Sequence, residues 1–163
     1  MPQTTQTETG LAGESRELVL TRLIDAPREA LFRAWTEVGL LKQWFTPRPW
    51  TVPFAELDLK PGGLFHTQMR GPEGEKFDNR GVFLEIVPGE KVVFTDAYVP
   101  GWEPAEKPFI TAIITFEEEG GKTRYTARVW HFTVEDRVRH EAMGFHDGWG
   151  KATDQLEALA KTL

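Results

Sequence analysis

The chain has 163 residues, 40% of them apolar and 27% charged, and carries a formal net charge of −6. That composition fits a globular chain with room for one sizeable core, and the acidic balance speaks against a nucleic-acid partner, which wants a basic face. The absence of cysteine excludes disulfides, thiol nucleophiles and cysteine-held zinc or iron–sulfur centres.

Residues 1–14 are polar, rich in Thr, Gln and Glu, and patternless, which predicts a disordered tail ahead of one domain over 15–163. The opening MPQTTQTETGLAGES has no basic start and no apolar centre, so it does not read as a signal peptide. No apolar run approaches the roughly 18 residues of a membrane span. A cytoplasmic location is the expectation.

From Arg16 onward, Leu18, Leu20, Arg22 and Ile24 alternate with Glu17, Val19, Thr21 and Leu23, the pattern of a strand. Asp25-Ala26-Pro27 stops it and starts a helix, with Asp25 or Ala26 as the cap. Ala30, Leu31, Ala34 and Trp35 have helical spacing. Thr36 is placed to cap a second short helix carrying Leu40, Leu41, Trp44 and Phe45, ended by Pro47.

The middle reads as a meander. Segments 52–59, 64–70, 80–87, 90–98, 109–117 and 123–132 are rich in strand-forming residues, separated by Pro61-Gly62-Gly63, Gly71 to Gly74, Pro88-Gly89 and Gly120-Gly121. Short connections make neighbouring strands antiparallel. Pro100 to Pro108, with Trp102, is expected to be a loop at the rim of the sheet. A helix from about Val134 to Lys161 closes the chain. Phe145, Trp149, Ala152, Leu156, Leu159 and Leu163 form its apolar stripe. Gly144, Gly148 and Gly150 mark a kink in it or a close approach to the sheet. The order β-α-α-β-β-β-β-β-β-α predicts an α+β fold in which about seven antiparallel strands are covered by the long helix.

These elements and residues resemble the SRPBCC superfamily, the START-like or helix-grip fold shared with the birch-pollen allergen. Within it the chain most resembles the family named for the activator of the heat-shock-protein-90 ATPase. The resemblance rests on Asp25-Ala26-Pro27 with Ala34-Trp35, Leu41-x-x-Trp44-Phe45-x-Pro47, Asp58-Leu59-x-Pro61-Gly62-Gly63-x-Phe65, Met69-x-Gly71-Pro72-x-Gly74, Gly81-x-x-Leu84-Glu85-Ile86-x-Pro88, Val93-Phe94-Thr95 and Gly148-Trp149. It covers about residues 16 to 161. It implies a curved sheet gripping the last helix around a cavity. It also implies one of several jobs: holding a lipid- or polyketide-like molecule, cyclising or hydrolysing one, or activating a chaperone ATPase. The chaperone activator carries a further N-terminal domain to which no segment of this chain corresponds, so the chaperone reading is the weaker one. No cofactor is implied.

The aromatic surplus, 11 Phe and 6 Trp against 2 Tyr, must be buried or must line something. The candidate ligand wall is Trp44, Phe45, Phe65, Thr67, Met69, Phe83, Phe94, Trp102, Ile114, Tyr125, His131, Phe145 and Trp149, an apolar set with a few polar fixings. Thr111 and Thr115 are further hydroxyl candidates. For chemistry, His131 ends an apolar strand face and Asp96 follows Val92 and Phe94. Either can serve as an acid or base, as can Tyr125, and an inward Asp96 would need Arg80, Arg128 or His131 as partner. Each also has a plain structural reading: a satisfied rim histidine and a solvated strand-end aspartate. Glu56 and Asp58, two residues apart, face water or form a carboxylate pair. His140 and His146, six apart, lie on different helical faces and cannot share a metal, so no metal is expected. Ser15 is the only serine, which leaves no serine nucleophile within the domain. Trp130 and Phe132 beside Arg124 and Arg128 offer a homodimer surface.

Overall fold

A computed structural model of the chain describes residues 15–163. The expected tail, residues 1–14, lies outside the described residues. Strands β1 (Glu17–Ile24), β2 (Thr51–Leu57), β3 (Leu64–Arg70), β4 (Lys76–Val87), β5 (Lys91–Thr95), β8 (Ile110–Glu119) and β9 (Lys122–His131) form one seven-stranded sheet. Its order is β1-β9-β8-β5-β4-β3-β2, antiparallel throughout. Four helices accompany it: α1 (Arg28–Thr36), α2 (Val38–Leu41), α3 (Val134–Ala142) and α4 (Phe145–Ala160). The fold is α+β and of the helix-grip kind, as the sequence predicts.

The hairpin signals set the meander, and the first strand joins last, pairing with β9 from Glu17↔Trp130 to Ile24↔Thr123. Alternation then decides the faces. Phe65, Phe83, Phe94, Ala112, Ile114, Phe116, Tyr125, Ala127, Val129 and His131 point to the helical side, all buried except the partly covered Phe94. Trp130 lies on the opposite face, 48% exposed.

Four local expectations are corrected. The cap of α1 is Pro27, with no side-chain hydrogen bond; the Asp25 amide instead donates to Glu157 of α4 at 2.9 Å. Thr36 does not cap α2, because its hydroxyl turns back to the Phe32 carbonyl at 2.7 Å and Glu37 takes the extended backbone between the helices. The 100–108 segment is not all loop: β7 (Glu103–Pro104) within it pairs with β6 (Tyr98–Val99) just before it, the ribbon turned by Gly101 and Trp102, both at positive φ. The closing helix is two helices.

The helix break has a clear cause. Gly144 sits at φ 100°, a left-handed value that ends α3 and redirects the chain. Thr133 caps α3 by accepting the Asp136 amide at 2.9 Å. Helix α3 buries no residue, whereas α4 buries Phe145, Gly150, Ala152, Thr153, Leu156 and Ala160. The apolar stripe therefore starts after the break. Leu163 lies beyond α4 and is 42% exposed. Helix α4 is pinned to β1 by Arg22, which pairs with Asp154 and reaches the Gly150 carbonyl. A Cβ on Gly150 would stand 3.4 Å from that guanidinium.

Candidate ligand groove and histidine pair

The inner face combines large rings with small residues. Phe65 stacks on Phe83 at 4.8 Å and meets Phe94 edge-on at 4.8 Å. Phe45 closes on Phe65 at 5.7 Å and on Trp35 at 5.6 Å. Between these rings and β9 the wall is thin. Ala112 lies between Phe94 and Val129, and Ala127 lies between Leu20 and Ile114; at the opposite edge Ala55 faces Thr67. Phe45, Ala55, Leu57, Phe94, Ile110 and Trp149 pack against the core yet are only partly covered.

One α4 side chain holds Phe45 in place. Gln155 donates from Nε2 to the carbonyls of Trp44 (3.1 Å) and Thr46 (2.9 Å), and its Oε1 accepts the Arg48 amide at 2.9 Å. Carbonyls only accept and an amide only donates, so the orientation of the Gln155 amide follows from its partners. Trp44 donates its indole N–H to the Ala34 carbonyl at 2.9 Å.

The expected wall residues divide. Trp44, Phe65, Thr67, Phe83, Ile114, Tyr125, His131 and Phe145 are buried, and Phe45, Met69, Phe94 and Trp149 are partly covered. Trp102 stands apart: it is 53% exposed, against Gly62 and the Tyr98 ring. The Thr67 hydroxyl is buried and takes only a long hydrogen bond from Asn79 (3.5 Å) among the described residues. Thr111 and Thr115 share a face with Trp130 and Thr126, away from the helices. Glu56 and Asp58 are exposed.

Asp96 has partners other than those expected. Its Oδ1 accepts the amides of Phe109 (2.7 Å) and Ile110 (3.1 Å), so it clamps the start of β8. Strand β5 ends at Thr95, which turns Asp96 toward this loop and not toward Arg80, Arg128 or His131. Burial raises its carboxyl above the usual range. Tyr125 accepts the Trp35 indole N–H at 3.1 Å, and burial raises its phenol far above the ordinary value. It stays neutral at any ordinary pH and has no base hydrogen-bonded to it among the described residues.

His131 is 2% exposed and belongs to a relay. Its Nδ1 lies 2.8 Å from the Arg16 carbonyl, and its Nε2 lies 2.8 Å from Nδ1 of His140. Around His140 stand Phe109 at 5.0 Å, Phe145 at 5.2 Å and Trp149 at 6.5 Å. Burial pushes both imidazoles below the ordinary value, His140 to about 4. Sequence reasoning missed His140 because it weighed that residue only against His146. The signal was the nine-residue spacing to His131 across the Thr133 cap, which folds the first two turns of α3 back beside the end of β9. His146 pairs with Glu141 at 3.2 Å and is exposed. His66, 5% exposed, pairs with Asp78 at 2.7 Å beside Phe54.

Among the described residues, no group of three or more His, Cys, Asp or Glu side chains is arranged to hold a metal ion. No helix among them is long and apolar enough to cross a membrane.

Residues 25–161 match the family described as activator of Hsp90 ATPase homolog 1-like protein. No curated protein matches the chain. Among solved structures it is similar to protein NE0264 from Nitrosomonas europaea, at 42% identity over 93% of this chain and 96% of that one, with a TM-score of 0.88. Protein Ms6760 from Mycobacterium smegmatis is similar at 25% identity, covering 89% and 90% of the two chains, with a TM-score of 0.76. Protein CV1439 from Chromobacterium violaceum matches at 25% identity over 89% and 96%, with a TM-score of 0.75. With its seven-stranded sheet, its closing helix and a match over most of its length, the chain belongs to the activator of Hsp90 ATPase homolog 1-like family, within the START-like, helix-grip superfamily.

Proposed function

We propose that this protein binds a small, uncharged apolar or aromatic molecule between the inner face of the sheet and α4. The observation that carries the reading is the uneven covering of the inner face. Phe45, Phe94, Ile110 and Trp149 are only partly covered, while Phe65, Phe83, Ala112, Ile114 and Val129 around them are buried. Apolar groups left half-covered on this face gain by a ligand that completes their burial, at about 25 cal/mol per Å². Ordering costs take most of that back, so a naphthalene-sized molecule is expected to bind with a Kd on the order of 10 µM to 1 mM.

Binding of the neutral fluorophore N-phenyl-1-naphthylamine, followed by displacement with naphthalene, tests the reading. Saturable binding at one site per chain, weakened in Trp149→Ala, supports it. No saturable binding at the solubility limit of the dye refutes it.

The competing reading, activation of the heat-shock-protein-90 ATPase, rests on the family name. It needs a docking face, and the exposed Trp130 and Phe132 are an apolar pair that such a face could draw on. An unchanged chaperone ATPase rate on adding this protein disposes of it. A cytoplasmic setting fits either reading.

A further inference from the structure

The direction of the histidine relay decides what kind of ligand it can meet. The Arg16 carbonyl only accepts, so Nδ1 of His131 carries the proton. A neutral imidazole then has a lone pair at Nε2, so His140 must donate to it from Nδ1. That leaves the lone pair of His140 at Nε2, which has no hydrogen-bond partner among the described residues. Three rings, Phe109, Phe145 and Trp149, stand within 6.5 Å of this imidazole. Ile110, which pairs with His131 across the sheet, and Trp149, beside His140, are partly covered apolar side chains at that end of the inner face.

We infer that Nε2 of His140 is the polar anchor of the groove, accepting a hydrogen bond from a neutral aromatic ligand that bears a hydroxyl or N–H donor. The inference rests on the groove reading and narrows its ligand class. A carboxylate or phosphate is disfavoured, because it would bring an acceptor to an acceptor. Protonating His140 to receive it would place a cation beside His131 among aromatic rings. The relay thus selects phenols, alcohols and amides over fatty acids and phospholipid headgroups.

The test compares 2-naphthol, naphthalene and 2-naphthoate by calorimetry, with imidazole ¹⁵N shifts read on the same samples. In the unaltered protein, 2-naphthol is expected to bind roughly 5- to 10-fold more tightly than naphthalene, the worth of one net hydrogen bond. 2-Naphthoate is expected to bind no better than naphthalene. On adding 2-naphthol, the Nε2 signal of His140 moves while that of its Nδ1 keeps its protonated position. In His140→Phe the ratio of the naphthol to the naphthalene affinity falls to about one. Equal binding of naphthol and naphthalene, tightest binding of naphthoate, or an unmoved His140 Nε2 signal overturns the anchor and leaves the groove standing. Absence of binding by all three removes both readings. Should His140→Phe not fold, the ligand ratios and ¹⁵N shifts of the unaltered protein still decide the matter.

Discussion

His140 donates from Nδ1 to Nε2 of His131 at 2.8 Å, and the Arg16 carbonyl 2.8 Å from the far side of His131 makes that direction obligatory. Strand β9, helix α3 and the residue preceding β1 meet in this one chain of hydrogen bonds. It needs the lone pair at Nε2 of His131, so that imidazole must be neutral.

Neutrality makes the relay pH-sensitive. Burial, and then the neighbouring His131, holds His140 at about 4, below the ordinary histidine value of 6.5. His131 is also lowered, chiefly by burial and also by Arg137, against the Arg16 carbonyl and Asp136, which raise it. Between those limits the unfolded chain binds more protons than the folded one, so stability rises with pH there and levels off above about 6.5. From pH 7 down to pH 4.5 the loss attributable to His140 is on the order of 2 kcal/mol. Thermal melts across this range should show the decline in the unaltered protein and a shallower one in His140→Phe. Equal slopes would refute the neutral pair.

Asp96 separates a structural from a chemical role. It accepts two backbone amides through Oδ1, and burial disfavours its charge. An asparagine oxygen accepts the same two amides without a charge. Asp96→Asn should therefore change stability by less than about 1 kcal/mol, while Asp96→Ala should cost about 2 kcal/mol by orphaning both amides. Denaturant unfolding of the two variants checks this; equal losses would contradict the clamp.

Gln155 is the stronger clamp, since it serves three backbone groups of the segment that carries Phe45. Gln155→Glu is nearly isosteric but cannot donate to the Trp44 and Thr46 carbonyls. It should destabilise by about 2 to 3 kcal/mol above pH 6 and weaken naphthalene binding through Phe45. Acid should return part of the loss, because a protonated carboxyl donates one hydrogen bond. Chemical denaturation at pH 7 and pH 4.5, set against the unaltered protein, gives the comparison.

Two glycines make opposite predictions. Gly144 is at φ 100° with open space where a Cβ would go, so Gly144→Ala is charged only for backbone strain, about 1 to 2 kcal/mol. Gly148 lies inside α4, also with open space at its Cβ. Gly148→Ala should stabilise by about 0.5 to 1 kcal/mol through helix propensity and a less flexible unfolded chain. Melting temperatures moving in the same direction would contradict the break at Gly144.

The hairpin meander and the α4 stripe were legible because alternation and helical spacing survive in a single sequence. The inward side of β9 was also legible: Tyr125, Ala127, Val129 and His131 sit where the alternation puts them. The helix break was half-legible, since Gly144 was marked but nothing local fixed its sign of φ. Asp96 misled because its face was extrapolated past the end of β5, where the strand period no longer applies. Trp102 was not legible, because it lies in the turn of a ribbon that no strand pattern orients. His140 was hidden because its partner comes from another element.

The central claim is that a small apolar molecule occupies the inner face. The most direct measurement is side-chain NMR during titration with naphthalene, following the Trp149 indole N–H, the Phe45 and Phe94 rings and the Ile110 methyls. The account predicts saturating shifts confined to these groups and their buried neighbours. Shifts limited to the exposed Trp130 and Trp102, or no saturation at all, would contradict it.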